Sequence, residues 1–153
     1  MGTSDENIFA AGDCCQSVDR LTGRPCYVPM GSTANKQARV AAINLCGGAD
    51  TFPGVLGSTI CKVFAYSVGR TGLTEAQARR LGYDVEAALA PAPDRAHYMP
   101  DARELLLKLV VDRTTRRLLG AQATGPGQAD KRIDVAAMAL TAGTDRQLDV
   151  VTR

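Results

Sequence analysis

Leu105-Leu106-Leu107-Lys108-Leu109-Val110-Val111, followed by Asp112-Arg113-Thr114-Thr115-Arg116 and then by Leu118-Leu119-Gly120-Ala121-Gln122-Ala123, is the stretch that decides the fold. In an extended chain successive side chains point to opposite faces, so Leu105, Leu107, Leu109 and Val111 share one face. Two apolar runs joined by a short polar connection predict an antiparallel hairpin. C-terminal to it, beyond Gly125-Pro126-Gly127, Ile133, Ala136, Ala137 and Leu140 recur at i, i+3, i+4 and i+7. That period predicts an amphipathic helix over residues 129–142, closed by Gly143. N-terminal to the hairpin, Lys62 to Gly72 is rich in β-branched and aromatic residues and reads as a strand broken by Gly69 and Gly72. Thr74 and Gln77 form a capping box, and a short helix runs from it to Leu81 and ends at Gly82. Asp84 to Ala90 reads as a strand, with Pro91 and Pro93 confined to a loop or a sheet edge. Together these elements predict an α+β fold: an antiparallel sheet of three to four or more strands with helices on one side.

Residues 1–50 are organised differently. They are Gly-rich and carry Cys14, Cys15, Cys26 and Cys46. Ile8 to Asp13 is a short apolar run ending at Gly-Asp, the pattern of a buried strand stopping at a tight turn. Ser32 or Thr33 can cap a helix in which Ala34, Ala38, Ala41, Ala42 and Leu45 recur at helical spacing, with Gly47-Gly48 as its stop. A face this rich in alanine permits close approach to another backbone, so the helix is expected to be interior.

Composition excludes several classes. A chain of 153 residues is one compact domain with a real core and too short for two ordinary ones. With 18 Lys+Arg against 16 Asp+Glu the net charge is +2, too weak a field to argue for nucleic acid or an acidic membrane as partner. The longest apolar run is interrupted by Lys108 and falls far below the roughly 20 residues of a spanning helix. Met1 to Asn7 lack the apolar core of a secretory signal, and five irregularly spaced cysteines suit reduced thiols, so a cytoplasmic protein is expected.

Chemistry-bearing motifs are sparse. No GxGxxG follows a strand, and GxxxxGK[ST] and CxxC are missing. The single histidine, His97, reads as a polar loop residue. Cys14-Cys15 is open to two readings, a nucleophile pair or a pair of half-buried thiols, and nothing local in the sequence lowers a thiol pKa. Arg79-Arg80 and Arg116-Arg117 sit where solvated arginines are common. By themselves these residues specify a domain and no reaction.

Several segments in order nevertheless resemble one family, the pyridine nucleotide-disulfide oxidoreductases. Thr3-Ser4-Asp5-Glu6-Asn7-Ile8-Phe9-Ala10-Ala11-Gly12-Asp13 resembles the family's last flavin-contacting strand, and Val28-Pro29-Met30-Gly31-Ser32-Thr33-Ala34-Asn35-Lys36-Gln37 the start of the helix after it. Phe52-Pro53-Gly54-Val55-Leu56-Gly57-Ser58, Lys62-Val63-Phe64 and Thr71-Gly72-Leu73-Thr74-Glu75 are similar to the opening of the family's dimerisation domain. Leu119-Gly120-Ala121-Gln122 and Asp130-Lys131-Arg132-Ile133-Asp134-Val135 complete the likeness. The His-Pro…Glu acid/base motif of the glutathione-reductase-like branch is not matched. Agreement is better with the single-cysteine branch of CoA-disulfide reductases, NADH oxidases and NADH peroxidases.

The resemblance implies that residues 1–50 are the incomplete end of an FAD-binding domain and residues 51–153 a dimerisation domain truncated at its C-terminus. The missing N-terminal half would carry both GxGxxG motifs and the redox cysteine, which none of the five cysteines here matches. FAD is the implied cofactor and NAD(P)H the co-substrate. The implied flavin contacts are Gly12 and Asp13, and Gly31, Ser32 and Thr33 at the opening of a helix whose positive end faces the flavin pyrimidine edge. Asn35 and Tyr98 are the implied substrate contacts; Tyr98 lies in His97-Tyr98-Met99-Pro100, similar to a His-x-x-Tyr-Tyr-Pro segment that reaches the partner subunit, with Met99 in one tyrosine place. The implied partner is a second copy, and the chain alone is expected to be catalytically inactive. The alternative is a free-standing oligomerisation or protein-interaction module without flavin.

Overall fold

A computed structural model describes residues 1–143. The end of the dimerisation region at Arg153 lies outside the described residues. The chain divides into two compact units, Met1–Leu56 and Gly57 onward.

The first unit holds β1 (Ser17–Val18), β2 (Pro25–Cys26) and α1 (Gly31–Leu45). The two short strands pair antiparallel, and Val55, 9% exposed, adds a parallel bridge to Asp19. The run 8–13 does not form the expected buried strand. Phe9 makes one isolated bridge to Gly2, and Ile8 is exposed, because only Met1–Thr3 lies alongside to offer a ladder.

Helix α1 also differs from expectation. It begins at Gly31 after Met30, which has extended backbone and no side-chain cap bond, so neither Ser32 nor Thr33 is the cap. Its buried residues are Thr33, Gln37, Val40 and Ala41, whereas Ala38, Ala42 and Leu45 are exposed. Of the alanine stripe only Ala41 is buried, because the inward face is turned by one residue to point Gln37 at its hydrogen-bond partners.

The second unit contains β3 (Thr59–Val63), β4 (Tyr66–Gly72), α2 (Glu75–Arg80), β5 (Val85–Pro93), β6 (Glu104–Asp112), β7 (Leu118–Gly125) and α3 (Ala129–Ala142). The strands form one antiparallel sheet in the order β3-β4-β7-β6-β5, with β6 and β7 the predicted hairpin. A register shift between Val110 and Val111 puts both valines in the core beside Leu105, Leu107 and Leu109. Asp112 organises the connecting turn, accepting from the Thr115 hydroxyl at 2.5 Å and the Thr114 N–H at 3.3 Å.

Two strand predictions are corrected. Lys62 to Gly72 is a hairpin rather than one strand: the chain reverses at Phe64-Ala65, where Phe64 takes φ 55°. No Gly or Asn announces that turn, so the local signal for a two-residue reversal was missing. Strand β5 runs past its expected end at Ala90 through Pro91 and Pro93, which pair with Leu106 and Glu104, so of the loop and the sheet edge the prolines take the edge. It lies at the sheet edge, where the proline's missing N–H faces away from the ladder.

Helix α3 packs across β4 and β7 with Ile133, Ala136, Ala139 and Leu140 inward. Gly69 makes this possible: a Cβ there would stand 2.8 Å from Ile133 Cγ1 and 2.6 Å from Ile60 Cδ1. Burying an isoleucine in that way is worth about 1.5–3 kcal/mol. Gly143 closes the helix as predicted, in the left-handed conformation, φ 60°.

Helix α2 starts at the predicted capping box, with Gln77 N–H donating to Thr74 Oγ1 at 3.2 Å and Thr74 N–H to Gln77 Oε1 at 2.9 Å. It is tied to β6 by Lys108 Nζ to Glu75 Oε2 at 2.6 Å, and Arg79 shares the same carboxylate at 2.8 Å. The Lys108 and Arg79 hydrogen bonds hold the Glu75 carboxyl below its ordinary 4.5. A depressed folded-state pKa contributes stability above the unfolded value and loses it as pH falls through the folded one. Glu75→Gln is therefore expected to unfold at lower urea than the parent at pH 7. That gap should shrink as pH falls below 4.5 and vanish once Glu75 is protonated in both states. A gap independent of pH would remove the ion pair as its cause.

Candidate functional site

The implied flavin contacts all lie in the first unit. Gly12 takes φ 87°, a conformation that disfavours a side chain, and a tight turn follows in which Cys15 N–H donates to Gly12 O at 3.1 Å. Gln37, only 1% exposed, holds this turn on α1. Its Oε1 accepts the Gly12 N–H at 2.8 Å and the Cys15 thiol at 3.3 Å, while its Nε2 donates to Ser17 Oγ at 2.9 Å. A Cβ on Gly12 would sit 3.4 Å from that of Ala34, so the turn lies against the first turns of the helix.

The structure thus sets the Gly12 turn against Ala34 and Gln37 of α1, the helix that Gly31, Ser32 and Thr33 open. Asp13 is exposed, and its carboxylate bonds to no group among the described residues. Gly31 and Ser32 are exposed and Thr33 is buried. Because no side chain caps α1, its first N–H groups remain available to an external acceptor, and the helix dipole favours negative charge there. Asn35 belongs to the exposed side of the same helix.

Tyr98 belongs to the second unit, in the loop between β5 and β6. The residue is 80% exposed, and its ring is edge-on to His97, with centroids 6.0 Å apart. Sequence reasoning missed two residues. Gln37 stood inside a recognised string, yet nothing marked it as the hinge of the Gly12 turn. Asp94, at the base of the Tyr98 loop, has a side chain only 1% exposed. A polar residue in a loop gives no sequence signal of burial.

Cys15 and Cys26 are poorly suited as nucleophiles. Burial, with Cys14 adding to it, pushes the Cys15 thiol pKa up, and burial with Asp19 does the same to Cys26. A raised pKa lowers the thiolate fraction, so the half-buried reading of Cys15 is the one its surroundings support. All five cysteines are free, and no cluster among the described residues has the makings of a metal site. No described helix is long and apolar enough to cross a membrane.

On the sheet, Val68, Thr124, Leu106 and Pro91 are cross-strand partners that form one row across β4, β7, β6 and β5, on the face opposite Leu105 and Leu107. Val68 is 42% and Leu106 36% exposed, and Leu89, two residues from Pro91 and so on the same face, is 61%. The neighbouring row carries Arg70 opposite Gln122, and Arg70 Nε and Gln122 Nε2 are buried without an acceptor among the described residues. That face combines apolar exposure with unsatisfied donors.

The family described as pyridine nucleotide-disulphide oxidoreductase, dimerisation domain, matches residues 58–152. The chain is 46% identical over 143 residues to a CoA-dependent NAD(P)H sulfur oxidoreductase of Pyrococcus furiosus, covering 94% of this chain and 32% of that protein. It is 34% identical over 139 residues to a coenzyme A disulfide reductase of Staphylococcus epidermidis, covering 90% and 31%. Among solved structures it is similar to an NAD-dependent persulfide reductase from A. fulgidus, with TM-score 0.90 and 44% identity over 92% of this chain and 26% of that one. The chain spans about a third of the length of the curated relatives it matches. It belongs to the dimerisation-domain family of the pyridine nucleotide-disulphide oxidoreductases.

Proposed function

We propose that this chain works as the C-terminal region of an FAD-dependent NAD(P)H oxidoreductase acting on a sulfur–sulfur bond, with residues 1–50 closing the flavin site and residues 51–153 pairing two subunits. The observation that carries this is the Gly12-Asp13 turn fastened by Gln37 to α1, whose start is uncapped. The donor set fits a flavin. An exposed carboxylate, Asp13, accepts from the hydroxyls of a polyol, and Gly12 lets backbone come close. The free N–H groups of Gly31, Ser32 and Thr33 suit an electron-rich ring edge and stabilise negative charge there. FAD, when bound, supplies the two-electron step between nicotinamide and the disulfide. Asn35 and Tyr98 contact the substrate, and the names of the relatives favour a CoA disulfide or persulfide.

A second copy covers the face that carries Val68, Leu106 and Leu89, and supplies acceptors for Arg70 and Gln122. Obligate interfaces of this kind bury about 2,000 Å² or more. Leu106→Asp is expected to weaken self-association about a hundredfold in sedimentation equilibrium, since it places a charge in a desolvated contact. Unchanged association would remove this face from the interface.

The test of the whole proposal is the mass of the native polypeptide in its source cells, read with an antibody raised against this chain. A band far above 16.1 kDa that carries FAD supports the flavoenzyme. A band at 16.1 kDa overturns the flavin assignments and leaves an association module. Purified alone, the chain is expected to lose FAD on gel filtration and to oxidise no NAD(P)H, because too few contacts remain.

A further inference from the structure

The loop from Asp94 to Arg103 carries Tyr98 at its exposed tip and is closed at its base. Asp94 N–H donates to Arg103 O at 2.8 Å, and Arg103 N–H donates back to Asp94 Oδ1 at 2.9 Å. The second carboxylate oxygen, Oδ2, accepts the N–H of Gln128 at 3.1 Å and an N–H of Arg95 at 3.3 Å. Gln128 is the N-cap residue of α3, and its own side chain makes no cap bond. The cap of α3 is therefore supplied from another loop. Arg132, on the first turns of α3, reaches back to the Asp94 carbonyl at 3.5 Å. Gly127 makes the arrangement possible, since a Cβ there would stand 2.8 Å from Asp94 Cβ and 2.9 Å from Oδ2.

From this geometry we infer that Asp94 is the positioning residue of the Tyr98 loop: one buried carboxylate locks the loop base to the start of α3 and so presents Tyr98 in a single arrangement. Arg95 also pairs with Asp101 across the loop, which stiffens the segment on either side of Tyr98. The Arg103 N–H, together with the Gln128 N–H and the Arg95 guanidinium, holds the Asp94 carboxyl below the ordinary carboxylate range, so the acceptor stays charged at neutral pH. Charge-assisted bonds from backbone N–H groups to a carboxylate are about twice as strong as neutral ones. A tip held this way loses little conformational entropy when it docks, which favours affinity without altering the chemical step. The part of this inference that concerns substrate rests on the reading of Tyr98 as a substrate contact.

The test uses Asp94→Ala and Asp94→Asn. The chain contains no tryptophan, so Tyr98→Trp introduces a single fluorescent reporter at the tip. With Asp94→Ala, amide exchange at Arg103 and Gln128 should accelerate at least about tenfold, the loss expected for a bond of this class. The fluorescence anisotropy of the tip reporter should fall, while the urea midpoint of the unit moves little. Asp94→Asn keeps one oxygen and turns an amide N–H₂ toward a donor, so it should release one of Arg103 and Gln128 while the other stays protected; this variant decides the matter if Asp94→Ala does not fold. In the native flavin-loaded protein, Asp94→Ala should raise KM for CoA disulfide about tenfold, with kcat changed less than about twofold, as expected when binding rather than chemistry is lost. Unchanged protection of Arg103 and Gln128 overturns the inference. Faster exchange and lower anisotropy with KM unmoved would support Asp94 as the anchor and remove Tyr98 from the substrate site, so the two failures are distinguishable.

Discussion

Gly120→Val is expected to unfold the sheet unit. A Cβ at this position would lie 2.0 Å from Leu73 O and 2.8 Å from Leu73 N, both backbone atoms that no rotamer change can move. The contact is close because Leu73 N–H donates to Leu119 O at 2.9 Å, carrying the end of β4 past β7 at van der Waals distance. A side chain here parts two strands of the core, and the neighbours Leu118, Leu119 and Ala121 are at most 6% exposed, so no slack exists to absorb it. Overpacking of a core costs about 1–3 kcal/mol, and displacement of paired backbone adds to that, giving more than about 3 kcal/mol. Urea unfolding followed by circular dichroism reads the loss. Gly31→Ala is the control, since nothing lies within 4 Å of a Cβ there. Equal midpoints for the two variants would contradict the packing described.

Gln37→Leu is expected to loosen the first unit and its candidate flavin turn together. Gln37 satisfies the Gly12 N–H and the buried Ser17 hydroxyl at once, and leucine satisfies neither. Leaving a buried donor or hydroxyl unpaired costs about 1–3 kcal/mol each, so about 2–6 kcal/mol is expected for the unit. The Cys15 thiol loses one of its two acceptors and keeps only the Gly12 carbonyl at 3.2 Å. Timed alkylation read by mass spectrometry should show Cys15 reacting at least several-fold faster, with Cys61 of the other unit unchanged. Flavin retention by the native protein should fall in parallel if Gly12 and Asp13 touch the cofactor. Loss of stability with flavin retention intact would detach that turn from the flavin.

The legible parts of the chain were those in which side-chain period and burial agree. Leu105, Leu107 and Leu109, and Ile133, Ala136 and Leu140, announced the central hairpin and α3, because each set faces a single core. Thr74 and Gln77 announced the start of α2, since a capping box is a purely local bond pair. The Phe64-Ala65 reversal was not legible. A positive φ at phenylalanine is tolerated only because strand pairing on both sides holds it, and pairing partners are remote in sequence.

The candidate site divides along the same line. Gly12, Asp13 and the start of α1 were identified from ordered strings of residues, and the relatives carry the family assignment that those strings implied. Nothing in those strings revealed that Gln37 suspends the Gly12 turn, that Asp94 caps α3 from a distant loop, or that Ala38 and Ala42 of α1 face outward.

The core periodicity of β6, β7 and α3, the capping box of α2 and the glycine stop of α3 were therefore determined by the sequence itself, because each depends on residues a few positions apart. Which face of α1 is buried, which oxygen caps α3 and where β3 turns into β4 were decided by tertiary structure. In each case the deciding term is the satisfaction of a buried polar group or a strand ladder by residues far along the chain, and local propensity is too weak to oppose it.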